Sequence, residues 1–350
     1  MTNDFWRDNN FRLEPWGTDY EPPIELSEEL SLSESEVDPT VETKDWNPVK
    51  PRQKPSLPQR IVFIDGRRRI DAALVGGERD TVYYGAFGTI AVGAVDVNRA
   101  TGTATYSNLT LRRILGFGGN QPAQLTRIPC PLGSTDELVY EPIDPAENNT
   151  PQIRKSLIQN AMLNAEDRLA AVLLAKQPDA LVIRDGQFRW YNKPDITMGY
   201  VKTMRKHYLL GDFASLLRTL NPGERTPIFA IQNKKPSRKR WSWYLRSGSP
   251  DICPKRLGYH ELQGIVRLEL YSEAVPLDKA KEIADQSTYL IPQYASHPSR
   301  DPRAPQNLTP VGALEQELGR RMGDRALIER RLRSFFASLG APDGKAEGSR

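Results

Sequence analysis

The chain has 350 residues, a hydrophobic fraction of 38% and a formal net charge of +4 at neutral pH. That length is ample for a substantial core, and no apolar run approaches the roughly 20 residues that a membrane-crossing helix needs. The start, Met1-Thr2-Asn3-Asp4-Phe5-Trp6-Arg7, lacks the basic-then-apolar order of a secretory signal, so a cytoplasmic protein is expected. The two cysteines, Cys130 and Cys253, belong to no CxxC pair; they support neither a disulfide framework nor a structural zinc site.

The modest net charge hides a segregation. Between Glu14 and Asp45 there are eleven acidic residues and one lysine, which leaves the remainder distinctly basic and suited to a polyanion. Residues 1–56, with prolines at 15, 22, 23, 39, 48, 51 and 55, read as an acidic, extended arm. Its aromatics, Phe11 and Trp6, Trp16 and Trp46, are the kind that dock on a partner or on the body of the protein. The main domain is expected over 57–340, with a loose tail over 341–350.

In chain order, Arg60–Ile64 predicts a strand stopped by Asp65-Gly66, and Thr81–Val97 a β-rich stretch. Residues 98–150 carry no clear pattern. Leu157, Ala161, Leu169, Val172 and Leu173 recur at helical spacing between Pro151 and Pro178, which predicts a long helix. It leads into Ala180–Arg184, a second strand ending in Asp185-Gly186. A strand or loop is expected near Ile196–Val201, strands near Ile228–Ile231 and Trp241–Leu245, and a short helix near Phe213–Leu220. Gly264–Leu270 alternates as a half-buried strand does, and a last helix from about Val311 to Leu339 is interrupted near Gly323. Strands, helix, then strand again predict an α/β fold with a mixed sheet flanked by helices.

Two strands that both end in Asp-Gly are the most informative local feature. A carboxylate at a strand's end is held by the core yet faces the sheet's open edge, where ligands of α/β proteins collect. Oxygen-only ligation suits Mn²⁺ or Mg²⁺, the ions that assist phosphodiester hydrolysis in pairs. Asp-Gly is equally an ordinary turn signal. Glu166, on the helix between the two aspartates, is a third acid; the alternative is an exposed glutamate paired with Arg168 or Lys176. Lys202 in Gly199-Tyr200-Val201-Lys202-Thr203 suits a phosphate, and Arg205, Lys206 and His207 thicken the positive field there. Lys234-Lys235-Pro236-Ser237-Arg238-Lys239-Arg240-Trp241 pairs cations with an aromatic as a nucleic-acid segment does, with one of Trp241 and Trp243 expected to be buried but not both. Arg67 and Arg68, directly behind Asp65, are placed to guide DNA. No P-loop, GxGxxG, HExxH or GxSxG is present, which leaves ATP hydrolysis, Rossmann-type nucleotide binding, zincin and serine-hydrolase chemistry without support.

These residues together resemble the NurA family of nucleases, in its bacterial branch. Phe63-Ile64-Asp65-Gly66 resembles the first active-site motif of that family, and Glu166 followed by Leu181–Gly186 its second and third acidic positions. Gly199–Thr203 resembles the lysine-bearing segment; Arg267-Leu268-Glu269 and the stretch from Asp301 to Glu315 resemble the C-terminal region. The resemblance implies an RNase H-like core, a homodimer, and a Mn²⁺-dependent DNA nuclease combining 5′ to 3′ exonuclease with single-strand endonuclease activity. It also implies a hexameric HerA-type translocase as partner in DNA-end processing. By the same resemblance Asp65, Glu166 and Asp185 hold metal and Lys202 lies by the phosphate. The fourth ligand is left open, with Asp301 and Glu315 the nearby acids, Asp301 one candidate, and Gln306 or Asn307 the alternative as contacts to water or DNA. The rival reading is a non-catalytic DNA-binding scaffold whose aspartates only end strands.

Overall fold

The computed structural model describes residues 2–13, 35–77, 81–130, 136–189, 193–202, 208–234, 237–248, 262–297, 299 and 304–340. Its centre is a meander of three long antiparallel strands, β3 (Arg60–Gly76), β4 (Tyr83–Asn98) and β5 (Thr103–Phe117). The helix α2 (Ile153–Lys176) then crosses over to β8 (Leu181–Asp185), which pairs parallel to β3, and β9 (Met198–Val201) pairs parallel to β8. This succession is the RNase H-like topology that the resemblance implies.

The sheet continues from β9 through β12 (Ile265–Tyr271), β11 (Ser237–Arg246) and β10 (Phe229–Lys234) to β2 (Ser35–Asp38). On the other flank, β7 (Leu138–Pro142) and β6 (Thr126–Ile128) follow β5, and β1 (Arg12–Leu13) lies beside the far end of β3. The remaining helices among the described residues are α1 (Thr2–Asp8), α3 (Asp212–Thr219), α4 (Leu277–Tyr294), α5 (Thr309–Arg321) and α6 (Arg325–Gly340). Gly323, with φ of 78°, makes the predicted break between α5 and α6. None of the helices is long and apolar enough to cross a membrane.

Alternation along β3 decides what meets the site. Val62 and Ile64 share a core cluster with Ala170 and Leu173 of α2, whereas Ile61 and Phe63 belong to the cluster on the other face that includes residues of α4 and α5, with the Phe63 and Tyr294 rings 5.2 Å apart. Both faces of these strands are covered, so the run Ile61–Ile64 is continuously apolar. One expectation is corrected here: Asp65-Gly66 is not a turn. β3 runs straight through it to Gly76, because Asp65 and Gly66 stay paired with Gly93 and Val92 of β4.

The described parts of the acidic arm lie on the body. Phe5, Trp6 and Phe11 enter an aromatic cluster with Phe87, Phe117 and Phe336, and the Phe11 and Phe117 rings stack at 4.5 Å. Glu42 accepts two hydrogen bonds of 2.8 Å from the buried Arg225, and Trp46 packs edge-on against Phe213. β2 then adds to the sheet's edge beside β10.

Candidate active site

Parallel pairing of β3 with β8 ends at Ile64 and Arg184, which puts Asp65 and Asp185 side by side on neighbouring strands about 4.8 Å apart. Asp65 shares the sheet face covered by α5, and there Glu315 joins it: one carboxylate oxygen from each of Asp65, Asp185 and Glu315 lies within 4.8 Å of the others. Gly186, with φ of 104°, turns the chain out of β8, and its N–H donates to the Tyr200 carbonyl at 2.8 Å. Asp-Gly is therefore a true strand end at β8 and an internal strand position at β3.

Lys202, one residue beyond β9, places Nζ 2.5 Å from Asp185 Oδ2. Its backbone is fixed by Gln306, whose amide donates to the Lys202 carbonyl at 3.4 Å while the Gln306 carbonyl accepts the Tyr200 hydroxyl at 2.6 Å. Gln306 is thus turned to the chain rather than to water or DNA, and Asn307 is buried.

Glu166 arrives from the opposite face. The buried stripe of α2 includes Ile158, Met162, Glu166 and Ala170, spaced by four, with Glu166 its one acidic member. Glu166 is 2% exposed, which excludes the exposed-pair reading. It lies against Gly66, where any Cβ would collide with Glu166 Oε1 and with Met162. Val172, expected in the stripe, is exposed. The stripe runs one residue away from the one that apolar residues alone suggest, because it includes a charged side chain.

Crowding shapes the electrostatics. Burial, and then the carboxylates of Asp185, Glu166 and Glu315, hold the Asp65 carboxyl well above the usual range, against the pull of Lys202. Glu166 is pushed up to about 8, chiefly by burial, with Arg184 opposing and Asp185 and Asp167 reinforcing. Such carboxyls favour the fold when protonated, so their contribution is complete below their unfolded values and is lost as pH rises towards about 8. The metal-free chain is therefore expected to melt several degrees lower at pH 8.5 than at pH 6. Millimolar Mn²⁺ or Mg²⁺ should remove most of that slope, because metal binding needs the deprotonated groups. A melting temperature that is flat or rising over this interval without metal would contradict it.

The donor set fits a hard divalent cation. All its atoms are carboxylate oxygens, and Asp65 Oδ2 is a buried atom without a hydrogen-bond partner among the described residues.

Several sequence expectations are redirected. Glu315, named from the sequence only as a nearby acid, supplies the third oxygen of the cluster; Asp301 lies outside the described residues, as do Lys235 and residues 203–207. Arg67 is exposed and donates to the Glu315 carbonyl at 3.0 Å, and the half-buried Arg68 bonds Gln159 of α2. Arg240 and Trp241 face inwards rather than towards DNA. Arg240 is fully buried against Glu269 and the Phe188 carbonyl, while the Trp241 indole donates to the Val275 carbonyl at 2.8 Å. Trp243 is buried too, on Ser287, so Trp243 ties α4 to the sheet and Trp241 ties the turn that precedes it. Lys234 stays at the surface opposite Glu36, and Lys239 lies over the Trp241 ring at 4.6 Å.

An RNase H-like core with an acidic cluster where β8 ends beside β3 defines a metal-dependent nuclease. The NurA domain matches residues 19–311, and the chain belongs to the NurA family. That match takes in Asp65, Glu166, Asp185 and Lys202 and ends four residues before Glu315. No curated protein matches the chain.

Proposed function

We propose that the protein is a Mn²⁺-dependent deoxyribonuclease with 5′ to 3′ exonuclease and single-strand endonuclease activity. In this reading it works as a homodimer with a HerA-type hexameric translocase in DNA-end resection and repair. The observation that carries the reading is the convergence of Asp65, Asp185 and Glu315 from three different elements, with Lys202 on their rim.

Asp65, Asp185 and Glu315 would hold the metal, and Glu166 would complete its surroundings from the α2 side. A bound divalent cation supplies Lewis acidity, which eases deprotonation of a water and neutralises charge on the leaving oxygen. The protein's own share is placement. The covered strands fix Asp65 and Asp185, and the Gly66 gap lets Glu166 approach close enough to hold or accept a proton beside them. Lys202 presents a point charge to the scissile phosphate. Lys234, Arg238 and Lys239 are the members of the basic segment that this reading keeps for DNA phosphates farther from the cut.

The test is cleavage of linear single- and double-stranded DNA labelled at either end, with Mn²⁺, Mg²⁺ or chelator. Products that need metal and shorten from the 5′ end are expected, with Lys202→Ala lowering single-turnover cleavage about 10²-fold while changing Mn²⁺ affinity little. DNA retained without products under every metal condition would instead make the chain a non-catalytic binding subunit.

A further inference from the structure

Two of the acids come from elements that share no backbone pairing, Glu166 from α2 and Asp185 from the end of β8. Their spacing must be set by side chains. Asp167, the residue after Glu166, forms ion pairs with both Arg184 and Arg189, one on each side of the turn that begins at Asp185. Arg189 adds a 2.7 Å hydrogen bond to Asn164, one helical turn earlier on α2. The Arg184 side chain is 5% exposed and lies over the Phe188 ring at 5.5 Å, so it has little freedom to swing elsewhere. The same guanidinium is close enough to Glu166 to favour its ionised form.

The far side of the turn is tied independently. The Phe188 N–H donates to Glu269 Oε1 at 2.6 Å, the Tyr271 hydroxyl donates to the Arg189 carbonyl at 3.0 Å, and the Phe188 and Tyr271 rings stack at 4.5 Å. The turn is therefore anchored to β12 by its backbone and to α2 by its arginines. Only the second attachment fixes the helix-borne acid relative to Asp185.

We propose that Asp167 is a positioning residue: it clamps Arg184 and Arg189 to α2 and so sets the separation between Glu166 and Asp185. This rests on the nuclease reading above. Asp167 joins the helix to both flanks of the Asp185 turn at once, and shares the Arg184 charge with Glu166 beside it.

The experiment compares full-length wild type with Asp167→Asn, Asp167→Glu and Arg189→Gln. Mn²⁺ affinity is measured by calorimetry, the melting temperature without metal, and kcat and KM on linear DNA. Expected for Asp167→Asn is a 10- to 100-fold weaker Mn²⁺ affinity, about the loss seen when groups that orient metal ligands are removed. Its kcat should fall, KM for DNA should hold, and the melting temperature should change by no more than a few degrees. Asp167→Glu should recover much of the affinity. Arg189→Gln should give a smaller loss that does not add to that of Asp167→Asn, and it keeps the test open should the aspartate variant fold poorly. Unchanged Mn²⁺ affinity in both Asp167→Asn and Arg189→Gln, beside a wild type that binds and cleaves, overturns the clamp alone. A wild type that binds no Mn²⁺ overturns the parent reading and the clamp with it.

Discussion

Asp65→Ala is expected to abolish metal-dependent cleavage, by more than the 10²- to 10³-fold typical of losing one electrostatic stabiliser, while leaving the fold intact or slightly more stable. The two halves of this expectation have one cause. Asp65 is 7% exposed and faces three other carboxylates, so its charge opposes folding when no cation is present and is essential when one is. Removing it relieves repulsion in the metal-free chain and takes away a ligand that no neighbour can replace, because Asp185 and Glu315 are held by their own elements. Thermal melting with and without Mn²⁺ reads the first effect, and gel assays on linear DNA read the second. A variant that both cleaves at the wild-type rate and gains as much stability from Mn²⁺ as the wild type would remove Asp65 from the site.

Glu269→Ala is expected to be the most destabilising single change near the site, lowering stability by about 3–5 kcal/mol and the melting temperature by about 4–7 °C. Glu269 is fully buried on β12 between Arg267 and Arg240, whose charges hold its carboxyl below the ordinary range in spite of burial. Truncation strands two buried guanidinium groups and removes the acceptor of the Phe188 N–H. It also opens a hole against Gly199, whose missing Cβ makes room for the Glu269 side chain. Because β12 pairs with β9 at Glu269 and Gly199, the damage should reach Lys202 and the Asp185 turn, so activity should fall even in the fraction that stays folded. Chemical denaturation of purified variants measures the first effect; a loss under 1 kcal/mol would show that the arginines find other partners.

Much of the fold was legible because its strands are covered on both faces and so read as apolar runs. Ile61–Ile64 and Leu181–Ile183 announce the two strands that carry Asp65, inside β3, and Asp185, at the end of β8. The helix between them was equally plain from its spacing, but its face was not, since the buried stripe includes Glu166 and leaves Val172 in solvent. The same masking hid the character of β12. Arg267 and Glu269 alternate with apolar residues as solvent-facing positions do, yet they satisfy each other inside the protein. For the same reason Arg240 and Trp241 looked like a surface for DNA. A cation whose partner lies 29 residues further on, and a tryptophan whose acceptor is 34 away, are indistinguishable in sequence from exposed groups. Glu315 was missed on other grounds. It sits on a helix with ordinary polar neighbours, and only the packing of α5 over β3, with Arg67 bonded to its carbonyl, brings it to Asp65.

The most direct measurement is a crystal structure of the wild-type chain soaked in Mn²⁺, with anomalous scattering used to place the ions. Mn²⁺ is expected to touch carboxylate oxygens of Asp65, Asp185 and Glu315, with Glu166 at the edge of the same site. Ions absent at saturating Mn²⁺, or bound by residues that exclude Asp65 and Asp185, would contradict it.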